Sequence, residues 1–349
     1  MDSREFEAQC LRRLPGIRRA QVDSVHPELI KTEALNGGNS LPLVIRPALS
    51  GVNLAEWARL NREFITTELL RSGAILFRGF NLATVEDFNR ALQAITDELL
   101  EYRERSSPRS AVGNRIYTST DYPASQSIFP HNEHSYSKRF PLNLFFFCLT
   151  PAESGGETPI ADCRKVLRRL SPATRERFIE KRWMYVRNFN DGFGLSWQTV
   201  FQTEDKAKVE EYCREFEIQV EWKEGNRLRT RQIRPAVAKH PMTGDEIWFN
   251  HTVFFHISTL EAPVRDVLLA EFEDADLPNN TYYGDGSEIE SQVLDELRDA
   301  YLQELVSFSW QSGDLLMIDN MLTAHSRASY TGERRILVAM SAPYLRNDI

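Results

Sequence analysis

The sequence predicts a mainly β fold with α-helical decorations, of the β-sandwich or jelly-roll type. From Tyr117 onward, short apolar runs recur between turn signals, and helical segments are inserted among them. In addition, no Gly-x-Gly-x-x-Gly segment follows a predicted strand, and no Gly-x-x-x-x-Gly-Lys segment occurs. These two absences disfavour a doubly wound nucleotide-binding fold.

The composition is that of an ordinary globular protein. Of the 349 residues, 42% are hydrophobic and 26% are charged, and the formal net charge of −8 argues against a nucleic-acid partner. No apolar run is long enough to span a membrane, and the first residues lack the apolar segment of a secretory signal. We therefore expect a cytoplasmic protein, in agreement with four scattered cysteines, Cys10, Cys148, Cys163 and Cys213.

We expect one decorated domain over residues 1–349, with an N-terminal α/β part at 1–110 and a β-rich core with a helical insert at 111–349. Length alone is compatible with one or two domains, because all-β domains can reach roughly 250 residues. The chain shows no internal repeat and no low-complexity tract.

The N-terminal part shows helix and strand signals in turn. Asn53 begins a predicted helix with one apolar face, and Gly73 ends it. The run Ala74–Phe77 predicts a short buried strand. Thr84 then begins a second predicted helix, whose apolar side faces the core.

The remainder reads as strands with helices between them. Ser171-Pro172 predicts a helix start, Ser287 predicts another, and Pro241–Asp245 predicts a hairpin turn. The predicted strands are Leu144–Leu149, Met184–Val186, Ala236–Ala238, Ile247–Phe249, Val306–Trp310, Leu315–Ile318 and Ile336–Met340.

A metal-binding motif stands out at His131-Asn132-Glu133-His134. On an extended strand, side chains at i and i+2 share a face, so His131 and Glu133 point the same way and His134 points away. Two histidines and one carboxylate form the ligand face of non-haem Fe(II) sites. A zinc site from His131, Glu133 and His134 is disfavoured, since it requires a helix at this segment.

A second histidine from elsewhere must complete such a face. The candidates are His26, His240, His251, His256 and His325. Ten residues after His325 comes Arg335, at the start of a predicted strand. A cosubstrate with a carboxylate tail needs a buried cation, and a guanidinium offers two donors and a permanent charge.

The chain resembles the taurine-dioxygenase/TfdA family of Fe(II)- and 2-oxoglutarate-dependent oxygenases, and especially its SyrP-like branch. His131-Asn132-Glu133 is similar to the family's first iron motif, and Gly155-Gly156-Glu157-Thr158 to its Gly-Gly-[Asp/Glu]-Thr segment. The segment from Gly313-Asp314 to Asp319-Asn320, with His325 and Arg334-Arg335, is similar to the C-terminal motif. The resemblance extends from about residue 70 to the end.

The resemblance implies a double-stranded β-helix core and a specific set of site residues. It implies His131, Glu133 and His325 as Fe(II) ligands. It also implies that Arg335 binds the distal carboxylate of 2-oxoglutarate with help from Thr158, while O₂ is the oxidant. Together these groups bring the pocket close to neutrality, which a low-dielectric environment requires.

Two departures from the family pattern narrow the substrate. Some members carry a further Arg four residues beyond the cosubstrate Arg, and Ala339 occupies that position here, so taurine is disfavoured. The carboxylate ligand is Glu133 rather than Asp, a form the resemblance associates with amino acids, free or carrier-bound. Glu133 also disfavours halogenation, in which a carboxylate ligand is missing.

The expected function is hydroxylation of an unactivated C–H bond of an amino acid or carrier-tethered aminoacyl group in specialised metabolism. Desaturation or ring closure on the same scaffold, a metal-dependent or metal-free binding protein, and a cupin-like zinc hydrolase are the alternatives. Candidate substrate contacts are Asn132, Ser135, Tyr136, Trp248, Asn250 and Arg334.

A peptidyl carrier protein is a possible partner. Arg227, Arg229 and Arg231 share one face of an extended strand and could meet an acidic carrier. A solvated strand edge is the more common explanation of such a run, and we favour it.

Overall fold

The computed structural model describes residues 28–35, 38–101, 110–113, 115–119, 122–189, 192 and 194–346. Cys10 and His26, named above, lie outside these described residues. Within them, no helix combines the length and the apolar character that crossing a membrane would require.

An eight-stranded, largely antiparallel sheet forms the centre of the fold. Its strands, in chain order, are β1 (Ile30–Leu35), β2 (Asn39–Pro47), β3 (Ala74–Phe77), β4 (Ala111–Gly113), β5 (Ile116–Thr118), β7 (Arg139–Thr150), β16 (Leu315–Asp319) and β19 (Arg335–Leu345). They lie side by side in the order β1-β2-β3-β16-β7-β19-β5-β4, and only the β2–β3 pair is parallel among these strands. The N-terminal strands therefore extend the same sheet that β7 and β19 build.

A three-stranded sheet of β6 (Ile128–His131), β17 (Thr323–Arg327) and β9 (Ile160–Asp162) lies in the order β6-β17-β9. The remaining strands are β8 (Ser154–Gly155), β10 (Trp183–Phe189), β11 (Gln219–Lys223), β12 (Arg227–Arg234), β13 (Val237–Lys239), β14 (Glu246–Trp248), β15 (Asn279–Tyr283) and β18 (Tyr330–Thr331). They form a four-stranded sheet in the order β11-β12-β10-β15 and the pairs β13-β14 and β18-β8.

Helices cover the sheets. Those of the described residues are α1 (Leu54–Leu60), α2 (Arg62–Ser72), α3 (Val85–Ile95), α4 (Cys163–Arg169), α5 (Pro172–Lys181), α6 (Trp197–Phe201), α7 (Lys206–Glu215), α8 (Ala262–Glu271) and α9 (Ser291–Glu304). The chain is thus mainly β with helices, as its sequence predicts.

The large sheet is buried on both faces. On one face, Leu337 and Ala339 of β19 belong to the apolar cluster that includes Trp57 of α1 and Phe88 of α3. On the other face, Val338 belongs to a cluster that also contains residues of β9 and of the segment before β16. Burial on both faces explains why β19 is apolar along most of its length.

Most predicted elements are confirmed, and three differ. The predicted helix that begins at Asn53 is broken at Asn61, where φ is −123° and the side-chain amide donates to the Trp57 carbonyl, so two helices form. Val306–Trp310 is not a strand; Val306 forms only an isolated bridge. The helix expected at Ser287 begins at Ser291 instead.

A buried ion pair joins the end of the N-terminal part to the C-terminal strands. Arg78, just after β3, donates from Nε and Nη2 to Asp314, with distances of 2.9 and 2.6 Å. Their side chains are only 8% and 1% exposed. Arg78 also donates to the Ser309 carbonyl, and Asp314 accepts from the Gln311 backbone amide. Such a pair is costly to break because the surviving charge stays buried.

We expect R78M to lower the free energy of unfolding by about 3–5 kcal/mol, because Asp314 is left buried and unpaired. Urea unfolding measures this loss. The apolar double variant R78M/D314L should recover part of it. R71Q, which breaks an exposed pair with Glu68, is the control and should cost under about 1 kcal/mol. Equal effects of R78M and R71Q would contradict a structural role for the buried pair.

Candidate functional site

The pairing of two short strands brings two histidines together. β17 runs antiparallel to β6, and His325 is the cross-strand partner of His131. Their ring centroids are 4.4 Å apart. Side chains directly opposite on paired strands lie on one face of the sheet, so both imidazoles point the same way.

Glu133 lies outside the strand on which the sequence analysis placed it. β6 ends at His131, and Glu133 belongs to the turn that follows. Its backbone is held by Asn320: the Glu133 amide donates to Asn320 Oδ1, and Asn320 Nδ2 donates to the Glu133 carbonyl, both at 2.8 Å. The same amide group donates to the Pro141 carbonyl at 2.8 Å. The two-residue spacing therefore brings the carboxylate to the histidines through this clamp rather than through strand alternation.

The three side chains form a set that fits a metal ion. Ligand atoms of His131, Glu133 and His325 all lie within 4.8 Å of one another, and this is the set of potential metal ligands that the described residues contain. Bonds of about 2.0–2.2 Å to one ion place neighbouring ligand atoms about 3 Å apart, so small side-chain rotations suffice for all three to bind. His134 does not join them, and its Nε2 lies 3.5 Å from Glu133 Oε1.

A hydrogen bond determines which ring nitrogen of His131 could bind a metal ion. Its Nδ1 lies 2.9 Å from the Phe129 carbonyl oxygen. Because a carbonyl oxygen only accepts, Nδ1 carries the proton and Nε2 keeps its lone pair for a metal.

A small cavity adjoins the histidine pair. Within the described part of the chain it is lined by Ser119, Ile128, His131, Phe146, Thr158, His325, Ser326, Arg327, Arg334 and Val338. Arg327 donates to three backbone carbonyls, those of Tyr122, Pro123 and Gln126, and so holds the preceding loop. Arg334 is thus the cation best placed to bind an anion there.

Arg334 is positioned by the glycine-rich segment. Its Nε donates to the Gly156 carbonyl at 2.8 Å, and its Nη2 lies 3.4 Å from Thr158 Oγ1. Gly156 has a φ of +72°, and a Cβ there would lie 2.9 Å from Arg334 Cδ. Burial, and next the charge of Arg327, lower the pKa of Arg334 to about 10. Arg334 is therefore charged at neutral pH, and a bound anion would stabilise that charge.

The sequence analysis expected Arg335 to bind the cosubstrate, and the structure places the neighbouring Arg334 in the cavity instead. The side chain of Arg335 is exposed, whereas Arg334 lines the cavity beside Thr158. The position four residues beyond Arg334 is Val338, which lines the same cavity. Val338 and Ala339, the positions four residues beyond Arg334 and Arg335, are both apolar.

The other candidate substrate contacts are Asn132, Ser135, Tyr136, Trp248 and Asn250. None of them lines this cavity or the larger cavity described below. Asn132 donates to the Asn320 carbonyl, and Asn250 donates to the Ala236 carbonyl and accepts from the Thr252 amide. Tyr136 and Trp248 are fully buried in an aromatic core. These side chains stabilise the surroundings of the site.

Ser135 contacts His251, one of the histidines that the sequence analysis left as candidates for the metal site. Its Oγ lies 2.5 Å from Nδ1 of His251, and the His251 ring centroid is 5.8 Å from that of His131. Burial, and next the proximity of His131, hold the pKa of His251 well below its usual value, so it is neutral. Phe254 packs closer, with its ring centroid 4.4 Å from that of His131.

Asp319 shapes the turn that presents Asn320. Asp319 Oδ1 accepts from the backbone amides of Met321 and Leu322 at 2.9 Å. His240 Nδ1 accepts from backbone amides of its own hairpin, so its Nε2 donates to Asp319, at 3.1 Å. His240 is thereby a structural residue.

The arginine run on β12 is engaged in structural contacts. Arg229 is buried and donates to Asn188 and Asp276, and Arg231 donates to Glu221 at 2.8 Å. Arg227 donates to the Glu224 carbonyl. These bonds support the structural interpretation over a docking patch for a carrier protein.

Fold and site together define a class. A mainly β chain that brings two histidines and one carboxylate together beside a buried arginine has the arrangement of a non-haem iron oxygenase.

Comparisons with known proteins identify the family. The model of the family "Taurine catabolism dioxygenase TauD, TfdA family" matches residues 38–340, and the chain belongs to this family. It is therefore an Fe(II)- and 2-oxoglutarate-dependent dioxygenase, as the sequence analysis expected.

Two relatives and one solved structure illustrate the similarity. The dapdiamide synthesis protein DdaC of Enterobacter agglomerans is 42% identical over 275 residues, which are 79% of this chain and 84% of DdaC. A clavaminate synthase-like protein of Arabidopsis thaliana is 29% identical over 311 residues, 86% and 90% of the two chains. The crystal structure of PvcB from Pseudomonas aeruginosa has a TM-score of 0.55 at 16% identity and covers 93% of this chain and 94% of PvcB, which shows a shared fold.

We expect N320A to weaken binding of a divalent metal by about 10–100-fold, because the backbone of Glu133 loses its clamp. Titration of the metal-free protein with Co(II), followed by its visible absorption, measures the affinity. N61A removes another buried amide, between α1 and α2, and is the control: it should cost stability without changing metal affinity. A normal Co(II) affinity in N320A would contradict the clamp.

Proposed function

We propose that His131, Glu133 and His325 bind Fe(II), and that Arg334, assisted by Thr158, binds the distal carboxylate of 2-oxoglutarate. The observation that carries this proposal is one cavity whose wall includes both candidate histidine ligands, Thr158 and Arg334. A cupin-like zinc hydrolase would have no use for the arginine and threonine.

The charges support this assignment. Fe(II), the Glu133 carboxylate, doubly negative 2-oxoglutarate and the Arg334 guanidinium together sum to about zero, as a weakly solvated pocket requires. His251 adds no charge, because burial keeps it neutral. Without Arg334, two carboxylates of the cosubstrate and one of the protein would face a single dication.

Bound iron supplies the oxidising chemistry with O₂ and 2-oxoglutarate, and the protein supplies geometry. Arg334 and Thr158 orient the cosubstrate, and Asn320 holds the carboxylate ligand. Phe146, Phe254 and Val338 give the site apolar surroundings that limit access of water. Which C–H bond reacts is then decided by the position of the substrate.

We also propose a specific fold type and a domain organisation. The eight-stranded sheet and the β6-β17-β9 sheet form the two faces of a double-stranded β-helix, and residues 1–349 form one domain. The support is that β1, β2 and β3 belong to the same sheet as β7, β16 and β19, and that Ile160 of β9 packs against the inner face of β19.

We propose that the substrate is an amino acid or a carrier-tethered aminoacyl group, hydroxylated at an unactivated carbon in specialised metabolism. The role of DdaC in dapdiamide synthesis supports the metabolic context, since DdaC is identical to this chain at 42% of the aligned residues. The apolar Val338, where a second arginine would bind a sulfonate, supports a substrate other than taurine.

Anaerobic addition of Fe(II) and 2-oxoglutarate to the purified protein tests the metal and cosubstrate assignment. We expect a visible metal-to-ligand charge-transfer band, and we expect H325A to lose it because one ligand is missing. H256A is the matched control: His256 caps a short helical turn through Ser258 and should leave the band intact. Absence of the band in the unaltered protein would overturn the proposed function.

The two arginines give a sharper test of the cosubstrate site. We expect R334Q to raise the KM for 2-oxoglutarate by about 10-fold or more, because a charge-assisted hydrogen bond is lost. R335Q removes an exposed charge one residue away and should change it less than about twofold. Succinate formation against 2-oxoglutarate concentration measures both. The reverse order of effects would restore Arg335 as the anchor.

A further inference from the structure

A second cavity, of about 350 Å³, lies farther along the two strands that line the Arg334 cavity. Phe146 of β7 and Val338 of β19 are cross-strand partners, and both line the smaller cavity. Toward the start of β7 and the end of β19, Phe140 and Met340 line the larger one. Val338 and Met340 belong to one apolar cluster on the same face of β19, with Cα atoms about 7 Å apart.

His134 connects this larger cavity to the metal ligands. Its side chain lines the cavity, and its Nε2 lies 3.5 Å from Glu133 Oε1. A φ of +55° turns the backbone at this position. His134 therefore contacts both the larger cavity and one of the candidate metal ligands. The smaller cavity takes the cosubstrate in the proposed function, which leaves the larger one for the substrate.

The walls of the larger cavity carry both signs of charge. Arg115 is already engaged, in a 3.7 Å ion pair with Glu98 and a hydrogen bond to the Leu99 carbonyl. Two other charged residues of the wall differ from Arg115 in this respect. They are Arg139, the first residue of β7, and Glu215, the last residue of α7. Neither side chain makes a hydrogen bond or an ion pair within the ranges that the structure describes. Both side chains are exposed, so the cavity offers one solvated cation and one solvated anion, beside the apolar Phe140, Phe216 and Met340.

We propose that this cavity is the substrate site and that it selects a free, zwitterionic amino acid, an inference that rests on the proposed function. Arg139 binds the substrate carboxylate, Glu215 binds the ammonium group, and the apolar wall contacts the aliphatic chain. The volume is at the lower end of the roughly 300–1,000 Å³ of small-molecule pockets. It suits an amino acid or a very short peptide.

The same charges separate a free amino acid from a carrier-tethered one. A thioester-linked aminoacyl group keeps its ammonium but has no carboxylate, so it would use Glu215 and leave Arg139 without a partner. The amide of an amino acid also lacks the carboxylate. An N-acetyl amino acid keeps the carboxylate but lacks the ammonium group. These derivatives report on the two ends of the cavity separately.

Calorimetric titration of the metal-free protein tests the site without catalysis. The ligands are the twenty free amino acids, the amide and N-acetyl form of the best binder, and its aminoacylated carrier domain. We expect R139Q to weaken binding of the free amino acid by about 10-fold or more, with little change for the amide. We expect E215Q to weaken it similarly, with little change for the N-acetyl form. R214Q and E211Q, exposed positions of α7 outside the cavity, are controls and should bind normally.

The charge-transfer band separates this inference from the proposed function. If Fe(II) and 2-oxoglutarate give the band but no free amino acid binds, the zwitterion site is overturned and the oxygenase is retained. Binding of the aminoacylated carrier domain in preference to the free amino acid also overturns it. Loss of free amino acid binding in both R139Q and E215Q, with the band unchanged, supports it.

Discussion

Antiparallel pairing of β6 with β17 is the constraint on which the metal centre depends. The pairing makes His325 the direct partner of His131, although the two residues are far apart in the chain. A slip of one residue would turn the His325 side chain to the opposite face. The register is secured on the other side of β17, where β9 pairs with Thr323, Ala324 and His325. Asn320, in the turn that precedes β17, then adds Glu133 to the pair.

The sequence was sufficient to name the three side chains that the structure brings together, and insufficient to choose which arginine lines the adjoining cavity. The spacing of His131 and Glu133 and the order of the motifs identified the candidate ligands, which the structure brings together. Strand alternation was unable to choose between Arg334 and Arg335, because β19 is buried on both faces and its residues after Arg335 are almost all apolar. Only the contact of Arg334 with Gly156 and Thr158 distinguishes them.

Polar residues near the motif were the least predictable part of the site. Asn132 and Asn250 follow or precede candidate site residues, which makes them plausible substrate contacts in a sequence. In the structure, their amides bind backbone groups, because buried polar groups need partners. Sequence gives no sign of which backbone carbonyl lies nearby. The same holds for Glu133, whose orientation depends on an amide nearly two hundred residues further on.

Val338 bears on which of the two cavities would bind an anionic group of the substrate. It lines the same cavity as Arg334 and belongs to the same apolar cluster as Met340, and it is apolar where a second arginine would attract an anion toward the proposed cosubstrate. In the substrate site that we propose, the cation for a substrate anion is Arg139, which lines the larger cavity. Because Arg139 and Arg334 line different cavities, a substrate carboxylate bound to Arg139 would not share its cation with 2-oxoglutarate. An anionic group near Val338, by contrast, would compete with the proposed cosubstrate for Arg334, which lines the same cavity.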